Sequence, residues 1–190
     1  MRVLAVSGSL RRGSHNSALL RLAADLLLPS GVEVVIYDSL RHIPPYNEDV
    51  LDSRPASVQR LRAEIDAVDA LLISTPEYNG SVPGQLKNAL DWLSRPLAES
   101  PLRNKPAAVV GASTGVFGAV WAQAELRKVL AAIGARVLDR ELPVPNAHEQ
   151  FTSDGRLVDR EIEQNLASVL RELVDVASSH PKVTSSVAAA

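Results

Sequence analysis

Short apolar runs alternate along the chain with longer segments in which apolar residues recur at helical spacing. The apolar runs predict strands at residues 3–6, 34–37, 70–74 and 107–110, with a fifth within 137–144. The helical spacing predicts helices at 16–28, 57–68, 119–133 and 159–176, with a shorter one after Pro83. Strands and helices therefore alternate throughout the sequence.

The predicted strands are apolar throughout rather than alternating with polar residues, which is typical of strands covered on both faces. Five such strands joined by helices predict an α/β fold with a doubly wound, five-stranded parallel sheet in three α/β/α layers. The sequence contains no linker that would separate two domains, so we expect one domain at residues 1–177. The Ser, Ala and Pro content further on predicts a disordered tail at 178–190.

The composition is that of a soluble globular protein. Of the 190 residues, 46% are hydrophobic and 22% are charged, and the formal net charge is -2. This balance argues against a nucleic-acid partner, because a general nucleic-acid binder normally carries a basic face. The absence of cysteine excludes disulfides, thiolate catalysis, iron–sulfur clusters and Cys-ligated zinc.

Neither export nor membrane insertion is indicated by the sequence. The segment before Gly8 is too short for the apolar core of a signal peptide. No apolar run approaches the ~20 residues that a membrane helix requires. We therefore expect a cytoplasmic protein with no membrane partner.

The loop after the first strand is rich in hydroxyl and basic side chains. It reads Gly8-Ser9-Leu10-Arg11-Arg12-Gly13-Ser14-His15-Asn16-Ser17 and leads into a helix. A helix N-terminus offers backbone N–H groups and a favourable dipole to a phosphate. The hydroxyls, the amide and a guanidinium add further donors for a dianion. The loop lacks the Walker A and Gly-x-Gly-x-x-Gly patterns, and an ordinary capped helix is the simpler alternative.

The third strand leads into a segment that predicts a tight turn. Residues 75–88 read Thr-Pro-Glu-Tyr-Asn-Gly-Ser-Val-Pro-Gly-Gln-Leu-Lys-Asn. Pro76 and Asn79-Gly80 favour the turn, and Pro83 suits the first turn of a helix. Backbone donors of such a turn can meet the polar edge of a flat heterocycle while Tyr78 lies against its face. A plain connecting turn with a surface tyrosine is the alternative.

Three glycines mark the end of the fourth strand. The segment reads Gly111-Ala112-Ser113-Thr114-Gly115-Val116-Phe117-Gly118, and its glycines allow a ligand to approach the backbone closely. It also matches Gly-x-Ser-x-Gly, the nucleophile elbow of the α/β-hydrolases. A hydrolase would use Ser113 as nucleophile, Asp139 or Glu141 as acid, and His148 as base. Few residues separate Ser113 from His148, which disfavours this alternative.

With these three loops the sequence resembles the NADPH-dependent FMN reductase family, flavodoxin-like enzymes that include bacterial quinone, chromate and azo-dye reductases. The resemblance spans residues 2–175 and rests on three segments: Gly8-Ser9-Leu10-Arg11 with Ser14, Asn16 and Ser17; Pro76-Glu77-Tyr78-Asn79-Gly80-Ser81-Val82-Pro83-Gly84; and Ser113-Thr114-Gly115. The second segment is the most specific. One departure is Ala119, which stands where a second glycine is common.

The resemblance implies a flavodoxin-like fold and an FMN site to which each loop contributes. The implied phosphate ligands are Ser9, Arg11, Ser14, Asn16 and Ser17. The implied flavin contacts are Pro76, Glu77, Tyr78, Asn79 and Gly80 on one edge, and Ser113, Thr114 and Gly115 on the other. The family also implies a homodimer or homotetramer with FMN near a subunit interface. Neither a metal site nor a catalytic side chain is expected.

The implied activity is that of an FMN-dependent NAD(P)H oxidoreductase. Hydride would pass from NADPH or NADH to the flavin N5 and then, by a ping-pong mechanism, to a quinone, free flavin or similar small-molecule acceptor. The protein would supply orientation and electrostatics rather than a covalent nucleophile. The alternative is a flavodoxin-like single-electron carrier, against which the near-neutral charge and the 4% aromatic content argue. A hydrolase that uses Ser113 is the third alternative.

Overall fold

A parallel sheet lies at the centre of the structure. The computed structural model describes residues 1–179. Within them the strands are β1 (Arg2–Ser7), β2 (Glu33–Tyr37), β3 (Ala70–Thr75), β4 (Pro106–Ala112), β5 (Arg136–Val137) and β6 (Pro143–Val144). The strand order is β2-β1-β3-β4-β5, every pairing is parallel, and β6 also pairs with β4. This is the flavodoxin-like order, and the predicted doubly wound parallel sheet is confirmed.

The last position of the sheet differs from the predicted single strand. Two short strands share that position, β5 against the beginning of β4 and β6 against its end. Between them the chain leaves the ladder, because residues 139–141 are all charged and turn outward. Arg140 and Glu141 form ion pairs with Glu172 and Arg127 at the surface.

Five α-helices cover the sheet within residues 1–179. They are α1 (His15–Leu27), α2 (Ala56–Ala67), α3 (Gly84–Leu93), α4 (Val120–Ile133) and α5 (Arg160–Ser178). Successive strand residues enter two separate apolar clusters, one shared with α1 and α5 and the other with α2, α3 and α4. The three predicted layers are therefore confirmed.

The helix boundaries follow the sequence pattern closely, and α5 extends to Ser178. The first residue of the predicted tail is thus helical, and the part of that tail at 180–190 lies outside the described residues. None of the helices in the described part of the chain is both long and apolar enough to cross a membrane.

A buried carboxylate fastens the first turn of α5. Glu163 is 7% exposed. It accepts hydrogen bonds from the Arg156 Nε and the Leu157 N–H, each at 3.1 Å. Burial raises the pKa of Glu163, but the hydrogen bonds from Arg156 and Leu157 outweigh burial and place that pKa below its ordinary value. The carboxylate is therefore stabilised in its charged form.

We expect Glu163→Gln to lower the free energy of unfolding at neutral pH, with a deficit that shrinks in acid. Because the native pKa is depressed, the carboxylate contributes fully above its unfolded pKa, and the contribution is lost as pH falls through the native pKa. Urea titrations at about pH 7 and about pH 3 measure the deficit. Glu161→Gln, an exposed carboxylate in the same helical turn, is the control. A Glu163→Gln deficit of equal size at both pH values would contradict the assignment.

Candidate functional site

Three loops meet at the carboxyl-terminal edge of the sheet. The first loop (residues 8–14) follows β1, the second loop (76–83) follows β3, and the third loop (113–119) follows β4. Ser7 lies opposite Ser74, and Thr75 lies opposite Gly111. The Gly8 N–H donates to the Ser74 carbonyl at 2.8 Å, which links the first loop to β3. The predicted convergence of loops at one edge is therefore present.

The first loop wraps the N-terminus of α1. Ser14 is the N-cap, and its hydroxyl oxygen accepts from the Ser17 N–H at 3.3 Å. The first turn of α1 contains no acidic residue, so the positive end of the helix dipole is not neutralised there. The Ser9 hydroxyl accepts from the Arg11 N–H at 3.4 Å. Below it, the Ser17 hydroxyl donates to the Ser7 Oγ at 3.2 Å, which places hydroxyls around the helix end.

Arg11 supplies a positive charge to this loop. Its guanidinium lies over the later part of the loop, since a Cβ added to Gly13 would lie 3.7 Å from the Arg11 Nη1. Within residues 1–179, Arg11 and Arg12 take part in none of the ion pairs. The neighbouring His15 stacks on Phe151 with ring centroids 5.9 Å apart. Burial, followed by the charges of Arg11 and His148, lowers the pKa of His15, so its ring is neutral at neutral pH.

Asn16 lies beneath the first loop rather than on it, with 3% of its surface exposed. Its Oδ1 accepts from the Ser74 hydroxyl at 2.8 Å and from the Ala112 N–H at 3.0 Å. Its Nδ2 donates to the Ala112 carbonyl at 2.9 Å. The amide therefore joins α1 to the ends of β3 and β4. Its part as a direct phosphate ligand stays a prediction.

The second loop contains the expected tight turn. Tyr78 and Ser81 exchange two backbone hydrogen bonds of 3.1 Å across Asn79 and Gly80. Both central residues have positive φ, +54° for Asn79 and +74° for Gly80, as a type I′ turn requires. The turn is exposed, and Tyr78 keeps 53% of its surface accessible.

The residues before this turn are held within the protein. Pro76 is buried, and its carbonyl accepts from the Thr75 hydroxyl at 2.7 Å. The Glu77 Oε2 accepts from the Ala122 N–H at 3.0 Å, at the N-terminus of α4. The Glu77 side chain thus points toward that helix end, where a negative charge is favourable.

The third loop is anchored from below. The Ser113 N–H donates to the Val144 carbonyl at 3.1 Å, and the Ser113 hydroxyl accepts from the Gly115 N–H at 3.1 Å. Thr114 and Gly115 are exposed beside them. The chain then turns at Gly118, where a Cβ would lie only 2.7 Å from the Val144 nitrogen. The backbone of the loop is therefore fixed while Thr114 and Gly115 face outward.

Ala119 and Gln123 shape the end of the third loop. Ala119, the departure from the family pattern, has a φ of +63°. This left-handed conformation explains why glycine suits the position, since a side chain there costs about 1 kcal/mol. The fully buried Gln123 donates to the Gly118 carbonyl at 3.1 Å and accepts from the Leu142 N–H at 3.0 Å. It therefore ties this loop to the chain that precedes β6.

The hydrolase arrangement is not assembled. In the part of the chain that the structure describes, no hydrogen bond joins Ser113 to His148. The His148 Nε2 instead lies 3.2 Å from the Glu149 Oε1, and its side chain is exposed. A serine nucleophile needs a base within hydrogen-bond reach. The geometry therefore does not support hydrolysis at Ser113.

Comparison with known proteins agrees with the geometry of the three loops. Residues 1–149 match the model of the NADPH-dependent FMN reductase family. The chain belongs to this family. An NAD(P)H-dependent FMN reductase of Pseudomonas aeruginosa is 45% identical over 175 residues, covering 91% of this chain and 93% of that protein. A quinone reductase of Escherichia coli is 41% identical over 142 residues, covering 74% of each chain.

A solved structure gives the same result for the fold. FerB, a flavoenzyme NAD(P)H:(acceptor) oxidoreductase from Paracoccus denitrificans, superposes with a TM-score of 0.83 at 35% identity. The superposition covers 94% of this chain and 98% of FerB. The family and fold predicted from the three loops are therefore confirmed.

The residues around the three loops fit FMN as a ligand of this family member. Hydroxyls, a guanidinium and a helix N-terminus surround one end of the edge, which suits a phosphate dianion. At the other end lie the exposed Tyr78 turn and the outward-facing Thr114 and Gly115 of the third loop. Phe117 in the third loop and Trp121 in α4 are also exposed, at 59% and 51%, with ring centroids 4.8 Å apart.

The sequence did not reveal several residues that shape the site. Ser7, Ser74 and Gln123 hold the loops together, but each resembles an ordinary strand or helix residue in the sequence. Glu125 accepts from the Ser81 hydroxyl at 2.6 Å and the Val82 N–H at 3.2 Å, although it lies on an exposed helix face. Contacts between positions this distant leave no local pattern.

Proposed function

We propose that this chain is an FMN-dependent NAD(P)H oxidoreductase whose electron acceptor is a small molecule such as a quinone or free flavin. The observation that carries the proposal is the meeting of a phosphate-type donor set at α1 with the Asn79-Gly80 turn and the third loop on one sheet edge. Membership of the family supports it. FMN, when bound, supplies the electron transfer between NAD(P)H and the acceptor.

The phosphate end of the site is assigned to the first loop. Ser9 supplies a hydroxyl, and Ser17 would supply a second by turning its hydrogen away from the Ser7 Oγ. Arg11 supplies a fork-shaped cation that belongs to none of the ion pairs within residues 1–179. The Ser14 oxygen accepts from the helix, which leaves its hydrogen free to donate. Asn16 lies beneath this loop, where it positions the ends of β3 and β4. This set favours a dianion at the helix end.

The ring end of the site is assigned to the second and third loops. The flavin would lie between residues 76–80 on one edge and residues 113–115 on the other. A Cβ on Gly80 would meet nothing within 4 Å, so the turn has room beside it. Backbone N–H groups that face the ring would favour negative charge there and would need no reorganisation during the reaction. The residues thus bind and orient, and no covalent nucleophile is required.

We further propose a homodimer or homotetramer in the cytoplasm, with the site near a subunit interface. Phe117 and Trp121 support the interface, since large aromatic side chains exposed together commonly pack against a partner. Light scattering of the purified protein measures the assembly. A monomer at micromolar concentration would contradict this part of the proposal.

Steady-state turnover tests the proposed activity against hydrolysis. The FMN-loaded protein is expected to oxidise NADPH when benzoquinone is supplied. His148→Ala is expected to keep that rate within about twofold, because the His148 side chain is exposed and pairs with Glu149, which lies outside the three loops. Nitrophenyl acetate hydrolysis is assayed in parallel. Ester hydrolysis that His148→Ala abolishes, together with no quinone-dependent NADPH oxidation, would overturn the oxidoreductase and favour the Ser113 hydrolase.

A further inference from the structure

Glu125 connects α4 to the loop that carries the flavin contacts. It lies on the exposed face of the helix, one turn after Trp121. Its Oε2 accepts from the Ser81 hydroxyl at 2.6 Å and from the Val82 N–H at 3.2 Å. Ser81 is also the residue that closes the Tyr78 turn through its backbone. A single carboxylate oxygen therefore holds the C-terminal side of the turn.

A second carboxylate holds the other side of the same turn. Glu77, in the second loop, accepts from the Ala122 N–H of α4 at 3.0 Å. A carboxylate of the loop thus accepts a hydrogen bond from α4, and a carboxylate of α4 accepts hydrogen bonds from the loop. Tyr78, Asn79 and Gly80 lie between these two attachment points. We call Glu77 and Glu125, with their acceptor bonds, the carboxylate latch.

The bonds of the latch differ from those of an ordinary surface ion pair. Within the described residues, neither Glu77 nor Glu125 belongs to an ion pair with a long basic side chain. Both accept from short groups on relatively rigid backbone, so little side-chain entropy is lost. Hydrogen bonds to a charged acceptor are stronger than neutral ones. The Ser81 and Val82 hydrogen bonds also lower the pKa of Glu125, in keeping with this geometry.

We propose that Glu125 is a positioning residue that fixes the Tyr78–Ser81 turn and, through it, the ring end of the FMN site. This inference rests on the proposed function. Without Glu125 the two backbone bonds still close the turn, but the loop keeps only the Glu77 attachment to α4, so the angle of the turn to the third loop is less firmly set. The turn then loses its alignment with the third loop at the ring end, while the phosphate end at α1 is unchanged.

The test compares Glu125→Ala with Glu125→Gln, which keeps one acceptor oxygen, and with Lys128→Ala on the same exposed stretch of α4. Glu125→Ala is expected to raise the Kd of FMN about tenfold and that of riboflavin by the same factor, because only ring contacts are lost. The visible absorption band of bound FMN should shift as well. Glu125→Gln should recover most of the affinity, and Lys128→Ala should match the parent.

Amide hydrogen exchange of the flavin-free protein measures whether Glu125 holds the turn when no cofactor is bound. Glu125→Ala should speed exchange at the Val82 N–H, with little change in α5. Unchanged exchange at Val82, or an FMN Kd and spectrum identical to those of Lys128→Ala, would overturn the inference. A loss of affinity that follows a fall in Tm and is not recovered by Glu125→Gln would also overturn it. A parent protein that binds no FMN, with exchange at Val82 still dependent on Glu125, would refute the proposed function and retain the latch.

Discussion

Replacing Arg11 by Gln is expected to raise the Kd of FMN by about 10–100-fold without unfolding the protein, because a charge-assisted bond to the phosphate dianion is lost. The Arg11 side chain is exposed and is engaged in no ion pair within residues 1–179, so its removal leaves no buried group unpaired. Quenching of flavin fluorescence on binding measures the Kd.

Two controls separate the phosphate contact from a general effect of charge. Riboflavin lacks the phosphate, so the parent and Arg11→Gln should bind it equally. Arg12→Gln removes the same charge from the neighbouring position and should change the FMN Kd less than about threefold. Equal damage from Arg12→Gln, or a loss of riboflavin affinity in Arg11→Gln, would show that Arg11 is not the phosphate ligand.

Replacing Asn16 by Ala is expected to lower the free energy of unfolding by about 2–4 kcal/mol and Tm by roughly 4–12 °C. The substitution leaves three buried groups without their partner: the Ser74 hydroxyl and the N–H and carbonyl of Ala112. These groups lie where β3 and β4 enter the second and third loops, so the loop edge should loosen as well. Urea unfolding and thermal melting measure the loss.

The exposed Asn165 on α5 is the matched control for Asn16. Asn165→Ala should stay within about 0.5 kcal/mol of the parent protein, since its side chain faces solvent. An Asn16→Ala protein as stable as Asn165→Ala would contradict the role assigned to the buried amide. FMN affinity, measured on the folded fraction, should fall in Asn16→Ala through the displaced loops.

Most of the fold could be predicted because its signals are local. The apolar runs at β1, β3 and β4 are buried on both faces, and the 3.6-residue spacing in α1 and α4 marks which side faces the sheet. The strand at 137–144 could not be predicted correctly. Its charged middle is held out by ion pairs to α4 and α5, which are tertiary contacts invisible in the local pattern.

The candidate site was predictable as a location and less so in its contacts. Parallel strands end at a common edge, so the loops after β1, β3 and β4 had to lie together. The direction in which each side chain points could not be predicted in the same way. Asn16 has the residue type of a phosphate ligand, yet its amide reaches Ala112, 96 positions away. The sequence pattern indicates that Glu125 is a solvated helix residue, yet its carboxylate contacts Ser81, 44 positions before it.

An absorption spectrum tests FMN binding and reduction most directly. FMN is added to the protein, the excess is removed by desalting, and NADPH is then added under anaerobic conditions. We expect flavin bands that persist through desalting, bleach within seconds of NADPH addition, and return when a quinone is added. A protein that leaves the column without flavin would contradict the FMN site at the three loops. Retained flavin that neither NADPH nor NADH bleaches would contradict the oxidoreductase and favour the single-electron carrier.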